Sequence, residues 1–350
     1  MIETDVVIVG AGPCGIFQVF ELGLLGIKAH VLDSLTKVGG QCAELYPDKP
    51  IYDIPGLPSI LAGDLVTNLM EQIAPFGAEF HLGETVTTVA KAASGRFHIT
   101  TSGGLEFDCA AVIIAGGVGN FQPRKISARG IGRHEGKQIF YRVGDKTQHY
   151  GKDIVILGGG DSALDWALEL YDKANSVLLV HRSQKFRAAP ASVNKMLELS
   201  EKHEMLFMEG SVKGVVEDEE AGTLTGLRIA TPQGVTRTVP CDEVLCFWGL
   251  SPKLGPIAKW GLALNRTQIK VDTEKFQTSV EGVYAVGDIN WYPGKKKLIL
   301  SGFHEAALAA FAIKEAMNPG EKVYLQYTTT SPKMHQRLGV EDPFADIIQD

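Results

Sequence analysis

The chain has 350 residues, 45% of them hydrophobic, and a formal net charge of −7. This length suits two domains of ordinary size, and the acidic balance argues against nucleic acid as the main partner. No uninterrupted apolar run reaches the roughly 18 residues of a membrane span.

Cysteine usage and the N-terminal residues bear on the compartment. The five cysteines are odd in number, scattered, and form no C-x-x-C, which does not describe a disulfide framework. The closest pair, Cys241 and Cys246, is expected to be structural. The first apolar run begins too early and contains too much glycine for a signal peptide. We therefore expect a cytoplasmic protein.

A glycine-rich turn follows the first apolar run. The sequence DVVIVGAGPCG predicts a strand over Val6–Val9, and then Gly10, Gly12 and Gly15 follow in G-x-G-x-x-G spacing. The first glycine permits a sharp turn, the second lets the backbone approach a pyrophosphate, and the third position must be small for helix–strand packing. A helical segment and a second strand, ending at Asp33, complete a dinucleotide-binding unit.

The same device recurs in the middle of the chain. DIVILGGGDSA predicts a strand over Ile154–Leu157. Its helix is LDWALELYDKA, and the following strand, SVLLV, ends at His181. Two such units in the right order indicate nucleotide binding far more strongly than one glycine motif. The residues of this second turn are Gly158, Gly160, Asp161, Ser162 and Ala163.

The two units differ in charge at the end of the second strand. Asp33 and His181 both lie 23 positions after the first glycine of their unit, and Arg182 follows His181. An acid there accepts hydrogen bonds from a ribose 2′-hydroxyl, whereas an arginine favours a 2′-phosphate. The first unit is therefore predicted to bind FAD or NAD(H). The second, with HRSQKFRA and its Arg187, is predicted to bind NADP(H); a solvated basic loop is the alternative.

Four further segments accompany the two turns: VGGQCAELYPDKPIYDIPGLP, EFDCAAVIIAGGVGNFQP, GVYAVGDI and ILSGFHEAALAAFAI. Together they resemble the two-dinucleotide-fold flavoprotein reductases, which include thioredoxin reductase, over nearly the whole chain. The resemblance implies an α/β fold with two Rossmann-like domains of three layers (ββα). The FAD domain would comprise residues 1–116 and 287–350, and the NADPH domain residues 117–286.

One feature separates this sequence from thioredoxin reductase. That enzyme has a C-x-x-C just after the opening strand of its NADPH domain, but the corresponding stretch here contains no cysteine. Electrons then cannot leave the flavin by thiol–disulfide exchange. The motifs, with the C-terminal extension PGEKVYLQYTTTSPKMHQRLGV, are similar to the thioredoxin-reductase-like ferredoxin–NADP⁺ reductases of bacteria.

The resemblance assigns individual residues to the flavin. Asp288 would bind the ribityl chain and Asp33 the adenosine ribose. Tyr46 would pack on one flavin face and Tyr327 on the other, with His335 as the alternative to Tyr327.

The implied contacts form two sets. Core packing is the alternative for Val86 and Phe121, and Cys14 is expected to be a small filler near the pyrophosphate. The FAD set is Gly10, Gly12, Cys14, Gly15, Asp33, Gln41, Tyr46, Val86, Phe121, Asp288, Tyr327 and Thr329. The NADP(H) set is Gly158, Gly160, Asp161, Ser162, Ala163, His181, Arg182 and Arg187.

The implied chemistry is hydride transfer between NADPH and flavin N5, coupled to one-electron exchange with ferredoxin or flavodoxin. No catalytic acid–base residue is expected, nor a metal site, since the histidines are isolated in the sequence. A homodimer is also implied. The alternatives are a disulfide reductase, another NADPH–flavin diaphorase, and a non-catalytic flavin-binding or redox-sensing protein.

An acidic electron partner would need a basic surface to receive it. Two segments of the sequence offer one, with a solvated loop as the alternative for the second. These segments contain Arg124, Lys125, Arg129 and Arg133, and Lys295–Lys297.

Overall fold

Buried β-branched strands alternate with amphipathic helices and divide the chain into two compact units. The computed structural model describes residues 1–128 and 130–341, without the side chains of 120–122 and 250–252. The first unit comprises residues 1–120 and the described residues from 252 on, and the second comprises the described residues of 121–251.

The elements up to residue 120 belong to the first unit. They are β1 (Ile2–Val9), α1 (Pro13–Leu24), β2 (Ala29–Asp33), α2 (Gly40–Glu44), β3 (Pro50–Ile51), β4 (Ile60–Leu61), α3 (Ala62–Ile73), β5 (Glu79–Leu82), β6 (Val86–Lys91), β7 (Phe97–Thr101) and β8 (Glu106–Ile114).

The second unit and its two connections follow. Their elements are β9 (Asn120–Pro123), β10 (Ile139–Phe140), β11 (Asp153–Leu157), α4 (Asp161–Leu170), β12 (Ser176–His181), α5 (Pro190–Glu201), β13 (Leu206–Glu209), β14 (Ser211–Asp218), β15 (Thr223–Ala230), β16 (Thr236–Pro240), β17 (Glu243–Cys246) and β18 (Leu250–Lys253).

The chain then completes the first unit. The remaining elements are β19 (Leu264–Asn265), β20 (Gln268–Lys270), β21 (Val283–Ala285), β22 (Asn290–Trp291), α6 (Ile299–Met317) and α7 (Pro332–Leu338). Short 3-10 helices lie at Ala74–Phe76, Ile131–Arg133, Lys146–His149, Gly255–Lys259 and Gly287–Ile289.

The main sheet of the first unit has the order β5-β2-β1-β8-β7-β6, and β21 pairs with the C-terminal half of β8. Strands β5, β2, β1, β8 and β21 are parallel, whereas β7 and β6 are antiparallel to their neighbours. One core cluster lies between this sheet and α1, α3 and α6. A second core cluster lies between the parallel strands of this sheet and its antiparallel strands β6 and β7.

The second unit repeats this plan. Its parallel sheet has the order β10-β17-β11-β12-β13, and an antiparallel sheet β14-β15-β16 accompanies it. One core cluster joins the two sheets, and another packs the parallel sheet against α4 and α5. Each unit is therefore an α/β structure with helices on one side of a parallel sheet and antiparallel strands on the other.

The chain crosses twice between the units, and the second crossing lies far from the position expected from the sequence. The expected crossings are at residues 116/117 and 286/287, whereas contacts divide the units at 120/121 and 251/252. The second difference arises because Val283–Ala285 pairs with β8, and Ile269 lies in the same core cluster as β8. Among the described residues, no helix is long and apolar enough to cross a membrane.

Gly10→Ala tests the tightness of the first turn. Gly10 has φ of +117° and its added Cβ would lie 2.5 Å from the Ala115 carbonyl oxygen. We expect urea unfolding of the cofactor-free protein to show a loss of about 2–4 kcal/mol, from left-handed strain and overlap together. Gly95→Ala is the control, because Gly95 has φ of +84° with no atom near its added Cβ. It should lose about 1–2 kcal/mol; equal losses would contradict the close-packing argument.

Candidate functional site

The first glycine turn joins β1 to α1 and presents an open face. Gly10 packs against the backbone of Ala115, and Gly15 packs against the Gly10 carbonyl. A Cβ at Gly12, in contrast, would meet only the Gly40 Cα at 4.0 Å. The backbone at the N-terminus of α1 is therefore accessible to a ligand, and its free N–H groups suit a pyrophosphate.

The Asp33 carboxylate closes this turn from the end of β2. It accepts hydrogen bonds from the backbone N–H groups of Ala11 at 2.6 Å and Leu35 at 2.8 Å. Burial raises the pKa of Asp33, while these two hydrogen bonds oppose the shift. Because each carboxylate oxygen has a second lone pair, Asp33 can still accept from a ribose hydroxyl.

The segment before α2 packs directly on the turn. Gly39 and Gly40 have φ of +108° and +53°, and the Gly39 N–H donates to the Ala11 carbonyl at 2.8 Å. A Cβ at Gly40 would lie 3.0 Å from the Gly12 Cα. Sequence reasoning missed both residues as site residues, although the double glycine in VGGQ was the available signal. They bring the next residue, Gln41, into the site.

The Gln41 side chain lies close enough to the Asp288 carboxylate to lower its pKa, so the structure brings these two predicted residues together. Burial raises the pKa of Asp288, and the positive charges of Lys297 and Lys295 oppose this shift. Asp288 lies in the loop before α6, whose Gly302 allows a close approach to Cys14 and Gly287. The predicted Cys14 is therefore next to the Gly287–Asp288 loop.

Glu305 holds the Gly287–Asp288 loop in place, and sequence reasoning missed it. Its side chain is fully buried and accepts from the Gly287 N–H and the Asn290 amide, both at 2.7 Å. The Tyr292 hydroxyl donates to it at 2.9 Å, and Lys295, only 4% exposed, forms an ion pair with it. A lone acid within the apolar helix ILSGFHEAALAAFAI was the signal that could have found it.

Tyr46 is half-buried near Cys42 and Asp288. Its hydroxyl lies 3.7 Å from the Cys42 sulfur, and burial raises its pKa. Val86 is only 4% exposed within a core cluster, as the packing alternative requires. The side chain of Phe121 lies outside the described residues. Flavin contacts for these three residues stay predictions.

The C-terminal extension lies at the other end of α1. The Arg337 side chain of α7 donates to the Leu24 carbonyl, at the C-terminus of α1. The His335 ring is 4% exposed and 2.7 Å from the Thr328 carbonyl, so the preceding segment lies beside α7. Tyr327, which is 66% exposed, and the exposed Thr329 are therefore not brought to Asp288 of the same chain. Their flavin contacts also stay predictions.

The second glycine turn repeats the geometry of the first. Gly158, with φ of +149°, packs against the Phe247 carbonyl and the Ala163 side chain, whereas a Cβ at Gly160 would meet no atom within 4 Å. Ser162 and Asp161 are exposed in the first turn of α4. The Asp161 carboxylate accepts from the Ala189 N–H at 2.9 Å, which ties the basic segment to the turn.

The basic segment after β12 folds back on this turn. The Arg187 N–H donates to the Gly159 carbonyl at 2.8 Å, and the His181 ring occupies the place of a side chain at Gly159. Burial lowers the pKa of His181, and Arg182 and Arg187 add to the effect. Both guanidinium groups are exposed, without a hydrogen bond or ion pair to any described residue. Gly159 was not among the residues predicted from the sequence, and its lack of a side chain makes room for the His181 ring.

All five cysteines have free thiols whose pKa is raised. Burial raises the pKa of Cys14, Cys109, Cys241 and Cys246 to about 12. A protonated thiol is neither a nucleophile nor a metal ligand. These residues therefore act as apolar packing groups.

Two expectations about charged residues are corrected. Lys295 cannot receive an electron partner, because it is buried against Glu305; Lys296 and Lys297 are exposed. Arg129 lies outside the described residues.

Three histidines that look isolated in the sequence have partners 51 to 94 residues away: His81 with His30 at 2.9 Å, His134 with Glu217 at 2.6 Å, and His149 with Glu243 at 2.6 Å.

Comparison with known proteins identifies the family. The model of the pyridine nucleotide-disulphide oxidoreductases matches residues 4–316. The chain belongs to this family. A thioredoxin reductase structure from T. acidophilum superposes with a TM-score of 0.71 at 26% identity, over 91% of this chain and 99% of that one. The predicted α/β fold class is confirmed.

Within the pyridine nucleotide-disulphide oxidoreductases, two relatives are similar over nearly their full length. Ferredoxin–NADP reductase 2 of Cupriavidus pinatubonensis is 60% identical over 99% of this chain and 93% of its own. Ferredoxin–NADP reductase of Albidiferax ferrireducens is 59% identical over 99% and 98%. The resemblance to ferredoxin–NADP⁺ reductases is confirmed.

Glu305→Gln tests the buried network. The change leaves the Lys295 ammonium without its partner, and loss of one member of a buried ion pair costs about 3–5 kcal/mol of unfolding free energy. Glu305→Gln with Lys295→Met should recover part of this loss, because both charges are then removed. Urea unfolding measures both variants.

The control for this prediction is Glu198→Gln, which breaks exposed pairs with Lys195 and Lys202. It should leave stability nearly unchanged. A Glu305→Gln protein as stable as this control would show that the buried pair does not hold the loop.

Proposed function

We propose that this protein is an FAD-dependent ferredoxin–NADP⁺ reductase that oxidises NADPH and passes electrons singly to ferredoxin or flavodoxin. The observation that carries the proposal is the pair of open glycine turns with opposite charge beside them, Asp33 at one and Arg182 with Arg187 at the other. The names of relatives at about 60% identity support the same activity. FAD, when bound, supplies the two-electron and one-electron chemistry.

The residues of the first unit fit FAD. The open face at Gly12 accepts the pyrophosphate, and Asp33 accepts from the adenosine ribose. Asp288, oriented by Gln41, accepts from ribityl hydroxyls. The N-terminus of α6 adjoins this loop, so its partial positive charge would favour electron density on a flavin bound there.

The residues of the second unit fit NADP(H). Gly160 leaves room for the pyrophosphate at the N-terminus of α4. Arg182 and Arg187 can each donate charged hydrogen bonds to a 2′-phosphate. Burial lowers the pKa of His181, which favours the neutral ring, and this ring lies beside the two arginines.

A disulfide reductase is disfavoured by the state of the thiols. The chain has no C-x-x-C, and burial raises the pKa of the two thiols near Asp288, Cys14 and Cys42. Neither can serve as an attacking thiolate at neutral pH. The thiols of this chain therefore offer no route for electrons, and FAD, when bound, would supply the one-electron chemistry itself.

An acidic ferredoxin would dock near the Gly287–Asp288 loop. Lys296 and Lys297 are exposed just before α6, and Lys297 is close enough to Asp288 to affect its pKa. Such a surface raises the encounter rate at low salt. The homodimer, the cytoplasmic location and the domain assignments stay predictions.

Replacing Arg182 and Arg187 with Ala tests the phosphate pocket. Each charged hydrogen bond contributes about 1.5–3 kcal/mol, less when exposed. The double variant should therefore raise the KM for NADPH about a hundredfold in ferricyanide reduction and leave NADH turnover nearly unchanged. Arg228→Ala, an exposed arginine on β15, is the control. Equal losses with NADPH and NADH would remove the pocket assignment.

Replacing Cys14 and Cys42 with Ala tests the electron exit. The variant should keep NADPH-dependent reduction of ferredoxin, because no thiol takes part. Its bound FAD is checked by absorbance, and wild-type protein is assayed in parallel with thioredoxin. Loss of ferredoxin reduction with FAD still bound, or turnover of thioredoxin by the wild type, would favour the disulfide reductase.

A further inference from the structure

Three side chains of types that bind metal ions meet at one edge of the first unit's sheet. His30 lies on β2, and Glu79 and His81 lie on the edge strand β5. The strands are parallel, with His30 opposite Glu79 and Leu32 opposite His81. Side chains two residues apart on a strand share a face, so this register places all three on one side of the sheet.

The ligand atoms of these residues are close together. His30 Nδ1 is 2.9 Å from His81 Nε2 and 3.9 Å from Glu79 Oε2, and all three atoms lie within 4.8 Å of one another. Ligands on a tetrahedral zinc ion, with bonds of about 2.0–2.1 Å, are about 3.4 Å apart. The two distances from His30 Nδ1 differ from that spacing by roughly 0.5 Å, and the Glu79–His81 distance, at most 4.8 Å, differs from it by at most about 1.4 Å.

The surroundings orient the two rings and leave the Glu79 carboxylate exposed. Phe107 contacts both imidazoles edge-on, with centroids 5.7 Å from His30 and 5.2 Å from His81. The His30 side chain is 14% exposed, whereas that of Glu79 is 70% exposed and free to rotate. The site thus has a fixed aromatic floor, two oriented rings and one adjustable carboxylate.

We propose that His30, His81 and Glu79 bind a divalent transition-metal ion of the zinc type. Two imidazoles and a carboxylate form a ligand set that suits such ions, with water as the fourth ligand. In the metal-free pair one imidazole donates an N–H to the other. On binding, that proton moves through solvent to the donor's other ring nitrogen, so both lone pairs face the ion and no net proton is released.

The ion would have a structural role. It would join the edge strand β5 to β2, the strand whose end carries Asp33 against the first glycine turn. Binding only to the folded state would raise stability by RT ln(1 + L/Kd), where L is the free zinc concentration, that is, with the logarithm of this concentration once it exceeds Kd. This inference does not depend on the proposed reductase activity.

The test is a zinc titration of the full-length, FAD-loaded protein after treatment with EDTA. We expect one saturable zinc site per chain by calorimetry, a higher Tm with zinc, and visible Co²⁺ bands of a tetrahedral site. His81→Ala should weaken binding by more than the about 10–100-fold typical of lost outer-shell partners. Glu79→Gln, at an exposed position that folding tolerates, should weaken it less.

His98→Ala is the matched control. His98 belongs to the same sheet and lies 3.7 Å from the Glu106 carboxylate, without a second imidazole. This variant should bind zinc as the wild type does. Equal zinc affinity in the wild type, His81→Ala and Glu79→Gln, or no saturable binding to the wild type, would overturn the proposal and leave a hydrogen-bonded histidine pair.

Discussion

The close approach of backbone to backbone at the β1–α1 turn is the constraint on which the first unit depends. Gly10 can lie against the Ala115 carbonyl, and Gly40 against Gly12, only because none of these glycines carries a side chain. The same contacts leave the N–H groups of α1 pointing outward. One local requirement thus fixes the helix position and creates an anion-binding surface. The β11–α4 turn meets the same requirement with Gly158 and Ala163.

A buried carboxylate organises the other half of the first unit's site. Glu305 collects donors from a backbone N–H, an amide, a phenol and an ammonium, so its desolvation is offset by hydrogen bonds on both oxygens. The loop that carries Asp288 is fixed by a helix residue 17 positions later, counted along the chain. Glu305 and its donors thus hold Asp288 in position without using the charge of the Asp288 carboxylate.

The charge distribution separates the two dinucleotide sites. Asp33 is engaged by two backbone N–H groups and retains capacity for hydroxyl donors, whereas Arg182 and Arg187 have no carboxylate among the described residues to neutralise them. Burial raises the pKa of the Cys14, Cys42 and Cys109 thiols, which favours their neutral form. These three features fit a chain that binds FAD and NADP(H) and leaves the redox chemistry to those cofactors.

The local features follow from the amino-acid order alone: two glycine turns, the acid and the arginines that follow their second strands, and the absence of a C-x-x-C pair. These depend on spacing within about 30 residues, where strand and helix periods limit the conformations. The long-range features required the folded structure. The pairing of Glu305 with Lys295, the meeting of His30 with His81 on adjacent strands, and the docking of α7 at Leu24 depend on how separate segments pack. Nothing in local spacing encodes them, because distant segments meet through burial of whole faces and not through residue periodicity.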